Sequence, residues 1–167
     1  HPSVVMWSIG NEIPEQFRAE ATQRELREAV LSHDPTRPIT QAISTDWGQV
    51  TRDWDHLSDP AFRYLDVGGY NYLPDKYESD HLRHPERVMM GTESYAKDTF
   101  DYWSAVEAHP YIIGDVVWTA MDYLGEAGIG HSTLSNENDT FFKSWPWYNA
   151  WCGDLDVCGF KKPQSFY

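Results

Sequence analysis

Two glutamates stand where acid–base chemistry could be done. Glu12 follows the apolar run Ser3-Val4-Val5-Met6-Trp7-Ser8-Ile9 through Gly10-Asn11, and Glu93 follows Val88-Met89-Met90 through Gly91-Thr92. The first of these, a nearly continuous apolar run, reads as a strand with both faces covered, and the second as a further strand. A carboxylate at the end of such a strand is costly to bury unless it is paired or used. Other strand ends supply Tyr70-Asn71-Tyr72 and Val117-Trp118-Thr119. Two carboxylates, amides, phenols and an indole on one rim have the composition of an acid/base pair acting on a sugar. Either glutamate taken singly could instead cap the helix that follows its strand.

Five strands are needed to hold these residues, and the sequence supplies them. The first runs from Ser3 to Ile9, the second from Pro38 to Ile43, the third from Tyr64 to Tyr72 with Gly68-Gly69 inside it, the fourth from Val88 to Thr92 and the fifth from Tyr111 to Thr119. Helical segments separate them. Pro14-Glu15 open a helix with Ala19, Thr22, Leu26, Ala29, Val30 and His33 on one face, and Asp34-Pro35 ends it. Thr45 to Pro60 reads as a loop with a short helix, Asp75 to His84 as a charged helix, and Thr99 to His109 as a helix with Tyr102, Trp103 and Val106 at helical spacing. Gly125 to Lys143 is a long polar loop, and Lys161 to Tyr167 reads as a helix start. Strands alternating with helices predict an α/β fold with a parallel sheet. The repeat length suits a (β/α)₈ TIM barrel, whose eight units need roughly 250 residues, so five units make a partial barrel. The doubly wound alternative lacks a G-x-G-x-x-G after the first strand.

Composition narrows the partners. The 167 residues carry a formal charge of −13, which repels phosphate and argues against nucleic acid and anionic membranes. No apolar run is long enough for a transmembrane helix. Aromatic residues make up 15% of the chain, enough either for a large aromatic core or for faces that stack on sugar rings. Cys152 and Cys158, the only cysteines, could close a small disulfide or remain free thiols. No Cys/His cluster offers a structural zinc site, and His81 and His84 are expected as solvated helix residues.

The segment His1-Pro2-Ser3-Val4-Val5-Met6-Trp7-Ser8-Ile9-Gly10-Asn11-Glu12 resembles the acid/base segment of glycoside hydrolase family 2, which holds β-galactosidases, β-mannosidases and β-glucuronidases. Gly91-Thr92-Glu93-Ser94-Tyr95 resembles that family's nucleophile segment, and Asp115-Val116-Val117-Trp118 its eighth barrel strand. The resemblance covers nearly the whole chain. It implies that residues 1–167 are a fragment of the catalytic TIM-barrel domain, with strands corresponding to strands 4–8. The rest of the barrel and the family's sandwich domains would be partners elsewhere in the parent protein.

The roles follow from the resemblance. Glu93 is expected as nucleophile, held ionised by donors such as Tyr72. Glu12 is expected as general acid and then general base. The charge of Glu93 favours a proton on Glu12 in the first step, and esterification of Glu93 removes that charge before the second. Asn11 would donate to the sugar 2-hydroxyl, although Asn also suits a plain turn there. Trp118 would floor the sugar ring, or pack in the core; Trp7 is expected in the core. His131, Asn136 and Glu137 in the long loop, and Asp46 and Trp47 after the second strand, are further rim candidates. The expected substrate is a terminal β-galactoside, with β-mannoside open. β-Glucuronide is less favoured because no basic cluster stands on the rim. The rival class is a non-catalytic sugar-binding module. No cofactor is called for: some family members bind Mg²⁺ or Na⁺, but no ligand set is readable here. The isolated chain is expected to be inactive, because five strands leave two open edges.

Overall fold

A computed structural model describes residues 1–13, 20–45, 54–123 and 152–163. Five strands form one sheet in the order β1-β2-β3-β4-β5. They are β1 Trp7–Asn11, β2 Ile39–Ile43, β3 Val67–Asn71, β4 Met89–Tyr95 and β5 Ile112–Trp118. The intervening helices are α1 Glu20–His33, α2 Trp54–Phe62, α3 Tyr77–Arg83 and α4 Thr99–Ala108. The pairings β1 with β2, β2 with β3 and β3 with β4 are all parallel. Sequential strands thus lie side by side with a helix in each connection, the βα pattern of a TIM barrel. The chain divides into two compact units, His1–Glu93 with Ser104–Asp115, and Ser94–Trp103 with Val116–Tyr167.

In the first unit, every residue of β2 and β3 is buried, the polar Thr40, Gln41 and Asn71 among them. The core gathers Ile43, Trp54, Phe62, Tyr70, Leu73, Tyr77, Met89 and Ile112. Much of the aromatic content therefore packs inward. Phe62 stacks on Tyr70 with ring centroids 4.8 Å apart, and Tyr77 meets Tyr70 edge-on. Gly69 lets β2 and β3 approach: a Cβ there would lie 2.4 Å from the Gln41 carbonyl oxygen and 2.7 Å from Thr92 Cγ2.

Beneath Tyr70 lies a buried charge. Asp80 is fully buried and accepts hydrogen bonds from Trp54 Nε1, Tyr70 Oη, Arg83 Nη2 and Arg87 Nη1. Two arginines and two neutral donors compensate its desolvation. Burial, the largest effect, raises the Tyr70 hydroxyl's pKa and keeps it a donor in this network.

Several expectations are corrected. β1 is not covered on both faces: Trp7 is 39% exposed, and Ser8 and Asn11 are exposed as well. Trp7 is consequently not a core residue; its indole N–H donates to Asp34 at 3.0 Å. On α1 the fully buried residue is Gln23, while Thr22, Leu26, Ala29 and His33 face outward. Gln23 wins that place because its amide donates both to Gln41 Oε1 and to the Ala61 carbonyl, two polar groups that an apolar side chain would leave unpaired. His81 and His84 are not merely solvated. His81 stacks on Tyr111, and His84 Nε2 lies 2.8 Å from Asp59.

In the second unit, Tyr102 is buried and Trp103 half-exposed. Asp122, nearly buried, accepts from the Gly153 N–H at 2.8 Å and from Lys162 Nζ at 2.7 Å. Cys152 and Cys158 are free thiols. Among the described residues no helix is long and apolar enough to cross a membrane, and no group of three or more His, Cys, Asp or Glu is arranged to hold a metal ion. The expected loop from Gly125 to Lys143 lies outside the described residues, as do all but the first residues of the expected terminal helix.

Candidate active site

Side chains of consecutive strand residues normally point to opposite faces. Two irregularities break that rule where the carboxylates stand. Between β1 and β2 the register runs Trp7 with Ile39, Ser8 with Thr40, then Asn11 with Ala42, so β1 carries one extra residue. Between β3 and β4 it runs Tyr70 with Gly91, then Asn71 with Glu93, so Thr92 is the extra residue. Bulges of this kind re-aim side chains beside functional sites.

Backbone strain adds to the re-aiming. Glu12 has φ 44° and Tyr72 has φ 57°, the left-handed region that side chains other than glycine seldom occupy. Each strained residue is pinned to its neighbouring strand. The Glu12 N–H donates to the Ala42 carbonyl at 3.0 Å, and the Tyr72 N–H to the Glu93 carbonyl at 2.9 Å. Among the described residues these are the two non-glycine positions with positive φ, and both lie in this site.

The result is a convergence on Asn71, which is 1% exposed. Asn71 Nδ2 lies 3.0 Å from Glu12 Oε1, 3.1 Å from Glu93 Oε2 and 3.1 Å from Asn11 Oδ1. Its own Oδ1 accepts from Thr92 Oγ1 at 2.7 Å, which sets the direction of the amide. The other Glu93 oxygen accepts from Tyr72 Oη at 2.5 Å. Because one nitrogen touches both carboxylates, those two oxygens lie no more than about 6 Å apart.

Glu93 is held above the ordinary carboxylate pKa. Burial is the largest cause; the hydrogen bond from Tyr72 opposes it, the nearby charge of Glu12 adds to it, and the hydrogen bond from Asn71 opposes it. The surroundings thus desolvate this carboxylate while supplying two donors to its ionised form.

Of the predicted site residues, Asn11, Glu12, Tyr72 and Glu93 come together in the first unit. Trp118 ends β5 in the second unit, partly buried, with a cis peptide bond to Thr119. Asp46, Trp47, His131, Asn136 and Glu137 lie outside the described residues. Asn71 and Thr92 were not among the predicted site residues. Their place between Tyr70 and Tyr72, and between Gly91 and Glu93, was the available signal, but regular alternation would turn Thr92 away from the Glu93 side.

Bulged parallel strands with two carboxylates at their ends make a candidate acid–base site on an α/β sheet. Residues 1–144 match the description "Glycosyl hydrolases family 2, TIM barrel domain", and the chain belongs to that family. A β-galactosidase of Bacteroides ovatus is 28% identical over 97% of this chain and 26% of its own length. A β-glucuronidase of Paenibacillus borealis is 28% identical over 77% of this chain and 26% of its own. The solved structure of a glycosyl hydrolase family 2 member from Bacteroides cellulosilyticus is 43% identical, with a TM-score of 0.79, covering 99% of this chain and 20% of that one. The chain thus spans about a quarter of the length of these two curated relatives and about an eighth of the β-galactosidases of Enterobacter cloacae that it also matches.

Proposed function

We propose that residues 1–167 are the part of a catalytic barrel, corresponding to strands 4–8, that carries both carboxylates of a retaining β-glycosidase. The remaining strands and further domains belong to a longer protein. The observation that carries this reading is the single amide nitrogen within 3.1 Å of both Glu12 and Glu93. The bound of about 6 Å on those two oxygens supports a close pair, compatible with the ~5–5.5 Å carboxyl spacing of a retaining enzyme.

In the first step Glu93 attacks the anomeric carbon through a carboxylate oxygen. Glu12 passes its proton to the leaving glycosidic oxygen, and the aglycone departs as an alcohol. In the second step Glu12, now ionised, takes a proton from water, and the water oxygen displaces Glu93 from the anomeric carbon. Tyr72 and Asn71 hold the attacking carboxylate, one on each oxygen. Asn11 is engaged through its Oδ1, so its amide N–H groups are the ones to meet the sugar 2-hydroxyl. The favoured substrates are terminal β-galactosides, in keeping with the name of the Bacteroides ovatus relative. β-Glucuronides are the second choice, in keeping with the relative from Paenibacillus borealis.

The test is a panel of aryl β-glycosides, β-galactoside, β-glucuronide and β-mannoside among them, on the full-length protein and its Glu93→Gln variant. The expected result is hydrolysis of the galactoside with retained anomeric configuration, lost in the variant while sugar binding persists. Binding without turnover in the unmutated protein would assign a sugar-binding module instead. The 167-residue chain by itself is expected to show no hydrolysis.

A further inference from the structure

We propose that Asn71 is a positioning residue that serves both carboxylates in turn, and that Thr92 sets the direction in which its amide donates. This rests on the retaining-glycosidase reading of Glu12 and Glu93. Three oxygens surround Asn71 Nδ2, those of Asn11, Glu12 and Glu93, and all lie at 3.0–3.1 Å. The nitrogen has two protons to offer them. The amide therefore favours whichever carboxylate is charged: Glu93 before the sugar is attached, Glu12 once Glu93 has become an ester. No side chain needs to swing for the preference to change, since both oxygens are already within reach.

The amide can donate in this direction only if its oxygen points the other way. Thr92 secures that by donating Oγ1–H to Asn71 Oδ1 at 2.7 Å. A threonine directly before Glu93 can share a partner with it because β4 bulges at that point. Burial reinforces the constraint, since an inverted amide would leave its oxygen facing two carboxylates with no water to intervene.

The experiment uses the full-length protein and three variants, Asn71→Ala, Thr92→Val and Thr92→Ser. Each is assayed with an activated aryl glycoside, for which removal of the sugar from Glu93 is slow, and with an unactivated one, for which its attachment is slow. Asn71→Ala is expected to lower the rate of both steps by about 10²-fold, the scale of a misplaced reacting group, with KM within about threefold. The acidic limb of kcat/KM moves to higher pH, because a donor that favours ionised Glu93 has gone. The titratable groups acting on Glu93 from the neighbouring strand ends, Glu12 and Tyr72, are unchanged in that variant. Thr92→Val is expected to fall by about tenfold, and Thr92→Ser, which keeps the hydroxyl, to stay near the parent rate.

A loss confined to one step, or an acidic limb that does not move, overturns the proposal. Thr92→Val indistinguishable from Thr92→Ser also overturns it, even where Asn71→Ala does not fold. Absence of turnover in the unmutated protein would instead defeat the glycosidase reading itself.

Discussion

Removing the Tyr72 hydroxyl isolates one of the two donors to Glu93 among the described residues. Phenylalanine keeps the ring and inherits the same left-handed backbone, so Tyr72→Phe adds no new conformational cost. What disappears is a 2.5 Å hydrogen bond to Glu93 Oε1. Hydrogen bonds to an ionised partner are worth about 1.5–3 kcal/mol. Glu93 is only partly buried, so water recovers some of the loss and the lower figure, about 1.5 kcal/mol, applies. That corresponds to about one pKa unit. The neutral form of Glu93 gains by that amount, so the acidic limb of the kcat/KM profile should move up by about one pH unit. Well above that limb the carboxylate is ionised in both proteins, and the remaining loss reflects poorer placement, about tenfold in rate. The assay is a pH–rate profile of the full-length protein with an aryl β-galactoside. A limb displaced by less than about 0.3 unit, with an unchanged plateau rate, would refute the claim that this hydroxyl holds the nucleophile's charge.

Three other outcomes are expected. Glu93→Gln should stabilise the fold at neutral pH. A carboxylate whose folded pKa is raised binds its proton more tightly than in the unfolded chain, so the parent loses stability as pH climbs from the ordinary carboxylate range through the raised value. The gap in Tm between variant and parent should therefore shrink on acidification, and a gap that widens toward low pH contradicts the burial argument. Gly69→Ala should destabilise by about 1–3 kcal/mol or more, because its methyl meets the Gln41 backbone and Thr92 at once, and denaturant melts would register it. Asp80→Ala should cost about 3–5 kcal/mol by leaving Arg83 and Arg87 without their buried partner, and a loss below 1 kcal/mol would show the network to be dispensable.

The legibility of this chain divides along physical lines. Strand identity and order could be read because strands alternate with helices along the chain, the pattern of parallel βα units, although the buried residues of β2 and β3 include Thr40, Gln41 and Asn71 and are no apolar run. β1 ends the one stretch before α1 that is written as a nearly continuous apolar run, and yet it stands exposed among the described residues, since an apolar run records what can be covered and not what covers it. Helix α1 misled for a related reason. Helical spacing marks a face, but Gln23 occupies the buried position through amide hydrogen bonds that only a folded α2 and β2 can offer.

The site divides the same way. That Glu12 and Glu93 each end a strand was legible, because strand, turn residue and carboxylate are contiguous in the chain. Tyr72 was legible as their neighbour for the same reason. The meeting of Asn11, Glu12, Thr92 and Glu93 on one amide was not, because it depends on two register shifts and two strained backbones. Strict alternation would send Thr92 and Glu93 to opposite faces, and no local pattern announces the bulge that reverses this. Residue types and their order establish which chemistry is possible; the register between strands, a property of pairs of segments far apart in the chain, decides which side chains share an atom.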